Sequence, residues 1–251
     1  MSNALKLTAL PELSNATKKL VSEFKASNPG ASALVLGPTG EVGREIVKIL
    51  LTSGAYEKVV VATRRDIEYE GPNSDSLHQV KVDFEKLEDQ KEIFKGHDCC
   101  YCCLGTTRGK AGKEGFIKVD HDYVLNSAKL LHEGGTKRFS LCSSTNANKD
   151  SMLLYPQIKG AVEEKLQTMK FDKLAIFQPG FLECEREESR MGEKIAGFLL
   201  PVFKMIAPKR FSVSTTNVAK AMVYDGLLPI GETPKLNVYS NPMIVDIGES
   251  F

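Results

Sequence analysis

The sequence feature that most constrains the fold is a glycine-rich turn between an apolar run and an amphipathic segment. The turn reads Gly37-Pro-Thr-Gly40-Glu-Val-Gly43 and follows the apolar run Ala33–Leu36. Apolar residues at helical spacing continue from the turn to about Gly54. In such a unit the three glycines allow a tight turn, close approach of a phosphate and close packing of the helix. The pattern predicts that backbone amides of the turn bind the diphosphate of a dinucleotide; a merely structural turn is the alternative.

Short apolar runs alternate with helical stretches from residue 33 to about residue 178. One long helix is expected from about Gly115 to His132. This alternation predicts an α/β fold, a Rossmann-type doubly wound parallel sheet with helices on both faces. The further strands are expected at Lys58–Thr63, Val80–Val82, Cys99–Leu104, Arg138–Ser143 and Leu174–Phe177.

The domain division follows from where this alternation starts and fades. Residues 1–30 are predicted to form an N-terminal helical extension, and residues 31–251 one nucleotide-binding domain. From about residue 180 onward the pattern weakens, and we expect this part, residues 180–251, to form a small C-terminal substrate cap. It contains a predicted helix, Asn217–Leu228, and a late strand, Leu236–Tyr239.

Charge and hydropathy exclude several classes of partner. The chain has 33 basic and 32 acidic side chains and a formal net charge of +1, which argues against direct nucleic-acid binding or an anionic membrane surface. No apolar run approaches the roughly 20 residues needed to span a bilayer. The longest, Ile195–Ala207, is interrupted by Pro201 and Lys204. No membrane span is expected.

Four of the six cysteines lie in the segment Asp98–Leu104 and resemble overlapping CxxC pairs. On a strand, however, Cys99 and Cys102 point to opposite faces, and no nearby Cys or His pair completes a zinc site. We therefore expect buried thiols in a parallel strand, no metal, and a reducing compartment; zinc or redox chemistry is the alternative.

The second predicted strand ends in Thr63-Arg64-Arg65. NAD-preferring sites usually carry an acid here for the ribose hydroxyls, whereas two guanidiniums suit a 2′-phosphate. Asp66, one residue further on, complicates this reading, and an exposed arginine pair without a ligand is the alternative. Asp83, after the third strand, is placed to accept a hydrogen bond from adenine or to cap a helix. NADP(H) is the predicted cofactor.

Candidate catalytic residues follow the fifth strand. Tyr155 and Lys159 form a YxxxK, preceded by Ser143 and Ser144. Positions i and i+4 share a helix face, so an ammonium beside the phenol lowers its pKa and permits proton transfer to a carbonyl. A serine hydroxyl would hold the substrate oxygen. Pro156 disfavours helical geometry at Tyr155, so Tyr155 is expected as the helix N-cap with a longer Tyr–Lys distance.

Several segments together resemble the Tat-interacting tumour-suppressor family of atypical short-chain dehydrogenase/reductases. The resemblance implies that Thr39, Gly40, Glu41 and Val42 line the phosphates and that Arg64 and Arg65 meet the 2′-phosphate. It also implies that Leu104 and Gly105 lie along the cofactor, that Tyr155 transfers the proton, that Lys159 contacts the nicotinamide ribose, and that Leu182 and Arg190 close over the cofactor. The segments are Val82–Leu87, Cys102–Gly112, Val119–Leu125, Leu154–Gly160 and Glu187–Gly192.

These observations predict an NADPH-dependent oxidoreductase that reduces a small carbonyl substrate. The alternative is an NADPH-binding regulatory protein that acts through partners such as nuclear-import receptors or transcription regulators, as the family resemblance implies. A nucleotide-sugar epimerase is a third, less favoured reading. Arg108 and Lys110, expected in a glycine-rich loop, would recruit an anionic substrate or form a solvated loop. The expected location is the cytoplasm and possibly the nucleus; mitochondria are less favoured because Glu12 and Glu23 interrupt the basic N-terminal segment.

Overall fold

The computed structural model describes residues 4–10, 12–183, 211–231 and 236–251 of the protein. The described helices are α1 (Asn15–Ser27), α2 (Glu41–Ser53), α3 (Arg108–Ile117), α4 (Tyr123–Glu133), α5 (Leu154–Thr168), α6 (Thr215–Leu227) and α7 (Asn241–Ser250). The described strands are β1 (Leu5–Thr8), β2 (Ser32–Leu36), β3 (Lys58–Thr63), β4 (Ile67–Glu70), β5 (Leu77–Lys81), β6 (Cys99–Cys102), β7 (Arg138–Cys142), β8 (Lys173–Gln178), β9 (Phe181–Glu183), β10 (Ser212–Ser214) and β11 (Leu236–Ser240).

Seven of these strands form one all-parallel sheet in the order β5-β3-β2-β6-β7-β8-β11. The strands that follow β2 are added first on one side of it, with β3 as its neighbour, and then on the other side, with β6 as its neighbour. At such a switch point the carboxyl ends of the two central strands leave a crevice. The predicted Rossmann-type doubly wound sheet is confirmed.

The two faces of the sheet carry separate apolar clusters. Cys99 lies in the cluster beneath α1, α2, α6 and α7, whereas Cys100 and Cys102 lie in the cluster beneath α4 and α5. Cys99 and Cys102 therefore point to opposite faces, as the alternation predicted. Within the described residues no group of three or more potential metal ligands converges. These thiols fill space in a buried strand.

Both ends of the described chain pack on the same domain. In α1, Val21 and Phe24 enter the core, and Thr17 Oγ1 donates a 2.8 Å hydrogen bond to the carbonyl of Phe251. β1 pairs in parallel with β4. Within the region expected as a cap, β11 forms the seventh strand of the main sheet, and α6 packs on α2. In the same region β9, which follows β8 in the chain, pairs in parallel with β10 outside the main sheet.

The span Arg108–Ile117 is broken at Gly112, whose backbone is not helical (φ +72°). The long helix begins after this glycine, close to the predicted start near Gly115, and runs through a π-helical turn at Lys118–Asp122 into α4. Before the break, Arg108 and Lys110 lie in a short helical turn rather than in the expected irregular loop. Thr107 caps this turn, because its Oγ1 accepts a 3.3 Å hydrogen bond from the Lys110 amide. Among the parts of the chain that the structure describes, no helix combines the length and hydropathy needed to span a membrane.

Candidate active site

The glycine turn lies at the carboxyl end of β2 and is closely packed. Gly37 has φ +76°, and a β-carbon there would lie 2.5 Å from the carbonyl oxygen of Cys103. A β-carbon on Gly43 would lie 2.1 Å from the Gly37 carbonyl oxygen. Gly40, by contrast, has an ordinary extended backbone and room for a side chain. The turn therefore needs glycine at its first and last positions to bring the α2 N-terminus to the crevice, where its free amides favour an anion.

The other predicted phosphate-lining residues occupy the first turn of α2 and the loop before it. Thr39 is partly buried and Gly40 is exposed. The Val42 side chain is buried in the core, so Val42 has only its backbone to offer a ligand. The Glu41 carboxylate contacts the Arg44 guanidinium at 2.7 Å.

Arg64 and Arg65 are both exposed immediately after β3. The Thr63 hydroxyl fixes this turn by accepting from the Arg65 amide at 3.1 Å and donating to the Arg65 carbonyl at 2.6 Å. The Asp66 carboxylate forms an ion pair with Lys81. The acid that complicated the choice of cofactor is thus engaged with a lysine on β5, while the Arg64 and Arg65 side chains are exposed beyond the end of β3.

Asp83 follows β5 and caps the turn behind it. Its Oδ1 accepts a 3.0 Å hydrogen bond from the Glu85 amide, and its own amide donates to Gln90 at 3.1 Å. Asp83 thus stabilises a turn, whereas the 3₁₀ helix that follows, Leu87–Phe94, has Lys86 as its N-cap. The helix-capping role that the sequence left open is therefore not present, and the contact with adenine stays a prediction.

Tyr155 lies within α5 rather than at its cap, so the expectation of an N-cap tyrosine is wrong. The helix begins at Leu154 and its N-cap is Leu153. Pro156 falls in the first turn, where a helix has no use for the missing amide hydrogen. Tyr155 and Lys159 consequently share one helix face, with Lys159 Nζ 5.9 Å from the centre of the Tyr155 ring. The Tyr155 side chain is 48% exposed and stacks on Phe116 at 5.7 Å.

Lys159 is buried and pairs with a residue that the sequence analysis did not single out, Asp120. Asp120 Oδ1 lies 2.8 Å from Lys159 Nζ, and Asp120 Oδ2 accepts a 2.7 Å hydrogen bond from the Thr106 amide. Burial alone would lower the pKa of Lys159, but the Asp120 carboxylate and Tyr155 together raise it above its ordinary value. Lys159 is therefore an ammonium at neutral pH. The sequence signal for Asp120 is its place in the segment Val119–Leu125, which resembles the family, although the resemblance implied no role for Asp120.

Leu104 and Gly105 follow β6 and lie beside this ion pair. A β-carbon on Gly105 would lie 3.3 Å from Asp120 Oδ1 and 3.9 Å from Lys159 Nζ. Leu104 packs on the cluster beneath α4 and α5. The loop expected along the cofactor and the candidate catalytic lysine are thus immediate neighbours.

The two serines after β7 have different surroundings. Ser143 donates to the buried Glu163 carboxylate, which also accepts from Gln178 Nε2 at 2.9 Å; burial raises the pKa of Glu163. Ser144 Oγ is buried and has no hydrogen-bond partner within the described part of the chain. Among the described residues, the Ser143 hydroxyl is thus engaged and the Ser144 hydroxyl is not.

The remaining site residues lie further along the chain. Leu182 lies in β9 and packs partly buried against the cluster that contains Cys99. Arg190 lies outside the described residues. Arg108 and Lys110 are exposed at the start of α3, so the choice between substrate recruitment and a solvated basic segment stays open.

A doubly wound parallel sheet, with a glycine turn at its switch point and a Tyr–Lys pair at the same edge, defines a nicotinamide-dinucleotide-binding protein of the short-chain dehydrogenase/reductase type. Comparisons with known proteins agree. Residues 37–224 match the NAD(P)H-binding family. Protein HTATIP2 of Rattus norvegicus is 40% identical over 231 residues, which cover 92% of this chain and 94% of that protein. The chain therefore belongs to the HTATIP2-like atypical short-chain dehydrogenase/reductases, and the resemblance seen in the sequence is confirmed.

Fungal relatives extend the comparison. The mitochondrial protein FMP52 of Candida albicans is 37% identical over 66% of this chain and 73% of its own length. The mitochondrial protein fmp52 of Aspergillus niger is 32% identical, with 81% and 91% covered. The expectation of a protein in the cytoplasm, with the nucleus as a second compartment, is wrong in the light of these relatives, whose names point to mitochondria. The acids Glu12 and Glu23 were insufficient grounds for setting that compartment aside.

Solved structures match the fold at low sequence identity. MoeE5 in complex with UDP-glucuronic acid and NAD has a TM-score of 0.63 at 14% identity, covering 83% of this chain and 75% of that one. UDP-N-acetylglucosamine 4-epimerase from Bacillus cereus has a TM-score of 0.59 at 16% identity, covering 84% and 77%. At this identity the matches establish the shared fold and carry no argument about substrate.

Proposed function

We propose that the protein is an NADPH-dependent reductase of a small carbonyl compound. The observation that carries this proposal is that three suitable groups follow the carboxyl end of β7. Tyr155 and the Lys159 ammonium share one face of α5. The Ser144 hydroxyl, which has no hydrogen-bond partner among the described residues, comes two residues after β7. These are the groups needed to donate a proton, stabilise the resulting phenolate and hold a carbonyl oxygen.

The choice of NADPH rests on the end of β3. Arg64 and Arg65 are exposed there, and Asp66 is engaged by Lys81. A ribose 2′-phosphate would meet two forked guanidiniums and no free acid from this turn. The diphosphate would be held by backbone amides between Gly37 and Gly43, where glycine at both ends permits the close backbone packing that shapes the turn.

The protein's own part in the reaction is proton transfer and orientation. Ser144 Oγ donates a hydrogen bond to the substrate carbonyl oxygen and fixes its position. Tyr155 gives its phenolic proton to that oxygen, and Lys159 stabilises the phenolate that is left. The reduced nicotinamide, when bound, supplies the hydride.

The direct test is Tyr155→Phe, with Tyr224→Phe as the matched control. Tyr224 packs on Phe251 at the far side of the domain, so its hydroxyl has no part in the proposed reaction. We expect Tyr155→Phe to lower kcat for carbonyl reduction by about 100-fold or more while NADPH affinity changes less than about threefold. Activity in Tyr155→Phe equal to that of Tyr224→Phe would discard the proposal.

A second function, regulation through a protein partner, has one specific observation in its favour. Met152 is fully exposed and Leu153 is largely exposed, beside the half-exposed Tyr155. Exposed apolar residues next to a candidate ligand site suit a protein contact. This alternative predicts no turnover on any carbonyl of a broad panel, together with partner capture from extract that depends on NADPH. Nuclear-import receptors are the partner class that the family resemblance suggests. Turnover without cofactor-dependent capture would reject it.

We also propose a mitochondrial location, which the names of the fungal relatives support. Subcellular fractionation of the full chain tests it directly. Recovery with the mitochondrial fraction is the expected result, and exclusive recovery in the cytosolic fraction would contradict it.

A further inference from the structure

Asp120 occupies a position where the helix pattern calls for an apolar residue. Phe116, Asp120 and Val124 are buried at successive four-residue steps along the helix that runs through the π-helical turn. Asp120 is only 2% exposed. Its neighbours Asp122 and Lys118 in the same turn face solvent. A carboxylate in this stripe therefore requires an explanation other than solubility.

Stability does not provide one. Removing a carboxylate and an ammonium from water carries a large desolvation penalty, and buried ion pairs are often no more stabilising than apolar residues of the same volume. Here both partners are buried, with Asp120 Oδ1 on Lys159 Nζ at 2.8 Å. The second carboxylate oxygen is used as well, by the Thr106 amide at 2.7 Å. The carboxylate thus joins the lysine of the proposed reaction to the loop that begins with Leu104 and Gly105.

We infer that Asp120 is a positioning residue of this site: it anchors the Lys159 ammonium next to Tyr155 and fixes that ammonium relative to the loop Leu104–Thr106. This inference rests on the reaction proposed above. Without Asp120, the four-carbon side chain of Lys159 has no charged anchor on the opposite wall, and the loop loses the acceptor for its Thr106 amide.

The same carboxylate also limits how strongly Lys159 acts on Tyr155. A negative charge in contact with the ammonium offsets part of the field that the ammonium exerts at the phenol.

Other titratable groups also surround Lys159, from every element packed against it. Cys102 on β6, Cys142 on β7 and Glu163 on α5 all interact with its charge. Burial raises the pKa of Cys102 to about 12 and raises that of Glu163 as well, whereas the hydrogen bond from Cys103 lowers that of Cys142. Of these groups, Asp120 is the carboxylate in direct contact with the ammonium.

The test compares Asp120→Asn with Asp122→Asn. Both variants remove one negative charge from the same π-helical turn, but Asp122 is exposed and contacts His121 instead of Lys159. Carbonyl reduction requires protonated Tyr155, so kcat/KM falls at alkaline pH. In Asp120→Asn the field of the Lys159 ammonium at Tyr155 is no longer offset by a carboxylate, so we expect the pKa of Tyr155 to fall. This moves the alkaline limb of the kcat/KM profile to lower pH, by about one unit. Asp122→Asn is expected to retain the wild-type profile.

Two further measurements keep the inference separate from simple misfolding and from the proposed reaction. Asp120→Glu restores the carboxylate and should move the alkaline limb of the kcat/KM profile back toward its wild-type pH. The phenolate absorbance of Tyr155, obtained by subtracting the titration of Tyr155→Phe, should show a lower midpoint in Asp120→Asn without any turnover.

The outcomes are distinguishable. Carbonyl turnover in the wild type with coincident limbs for Asp120→Asn and Asp122→Asn overturns the inference and leaves the proposed function standing. Absence of turnover in the wild type removes the proposed function, and the phenolate titration then decides about Asp120 alone: an unchanged midpoint in Asp120→Asn overturns its role.

Discussion

Gly37 combines two demands that no other residue type meets together. Its φ of +76° is strained for any residue with a side chain, and a β-carbon would lie 2.5 Å from a backbone oxygen. Gly96 has nearly the same φ, +75°, with nothing within 4 Å of a β-carbon. Substitutions at these two positions therefore distinguish the cost of backbone strain, present at both, from the cost of a steric clash, present only at Gly37.

We expect Gly96→Ala to lower the free energy of unfolding by about 1 kcal/mol through backbone strain alone. Gly37→Ala should lower it by at least about 2 kcal/mol more and abolish NADPH binding, because the turn must move away from Cys103. Urea unfolding and calorimetry measure both effects. Equal losses in the two variants would show that the close approach at Gly37 is unimportant.

The residues that the sequence identified are those whose chemistry is local. Tyr155 and Lys159 are four residues apart on one helix, and the glycine turn carries its own pattern. Asp120 and Lys159 meet only because two helices pack together, so no spacing rule connects them. In the same way, Ser143 and Ser144 are indistinguishable in the sequence until folding brings the Glu163 carboxylate to the first of them.

At the scale of elements, the strands of the sheet were predictable and helix boundaries were less so. Apolar runs such as Val59–Val61 identify buried parallel strands. The short helical turn that begins at Arg108 was not predicted, because it depends on the Thr107 cap and ends at Gly112, whose backbone is not helical. The prediction that Tyr155 is the N-cap of α5 was wrong because a proline in the first turn of a helix is compatible with helical geometry there.

The connection between β2 and the segment before β6 depends on a neutral histidine. His97 is buried, with Nδ1 3.0 Å from the Ser32 hydroxyl and Nε2 2.8 Å from the Ile93 carbonyl. Burial lowers the pKa of His97 below its ordinary value. The unfolded chain therefore takes up a proton that the folded protein resists, and this share of stability is present above about pH 6.5 and is lost as the pH falls below it.

We expect the free energy of unfolding to decline with falling pH by up to about 1.4 kcal/mol per unit from this group, until the pH reaches its folded-state pKa. In His97→Gln that contribution disappears and the slope below about pH 6.5 becomes shallower. Urea unfolding between pH 5 and pH 8 measures both slopes. Identical slopes in the two proteins would contradict the assignment.

At the scale of the whole molecule, the N-terminal residues are integrated with the nucleotide-binding fold. Phe24 of α1 packs on Tyr56 at 5.0 Å, and the Arg138 guanidinium lies 5.7 Å from its ring. The sequence predicted the helix but gave no sign of these contacts, which join segments far apart in the chain.

Phe24→Ala should therefore destabilise the entire domain, by about 3–5 kcal/mol, in a single cooperative transition. Lys25→Ala, at an exposed position of the same helix, should change stability by less than about 0.5 kcal/mol. Differential scanning calorimetry distinguishes loss of the whole domain from local fraying of α1. A Phe24→Ala protein with an unchanged main transition would show that α1 is peripheral.

The most direct test of the central claim is isothermal titration of the folded wild-type protein with NADPH and with NADH. Two guanidiniums on one phosphate predict at least about tenfold tighter binding of NADPH, and replacement of Arg64 and Arg65 by alanine should remove this preference while NADH binding persists. Failure of the wild type to bind either dinucleotide would contradict the account.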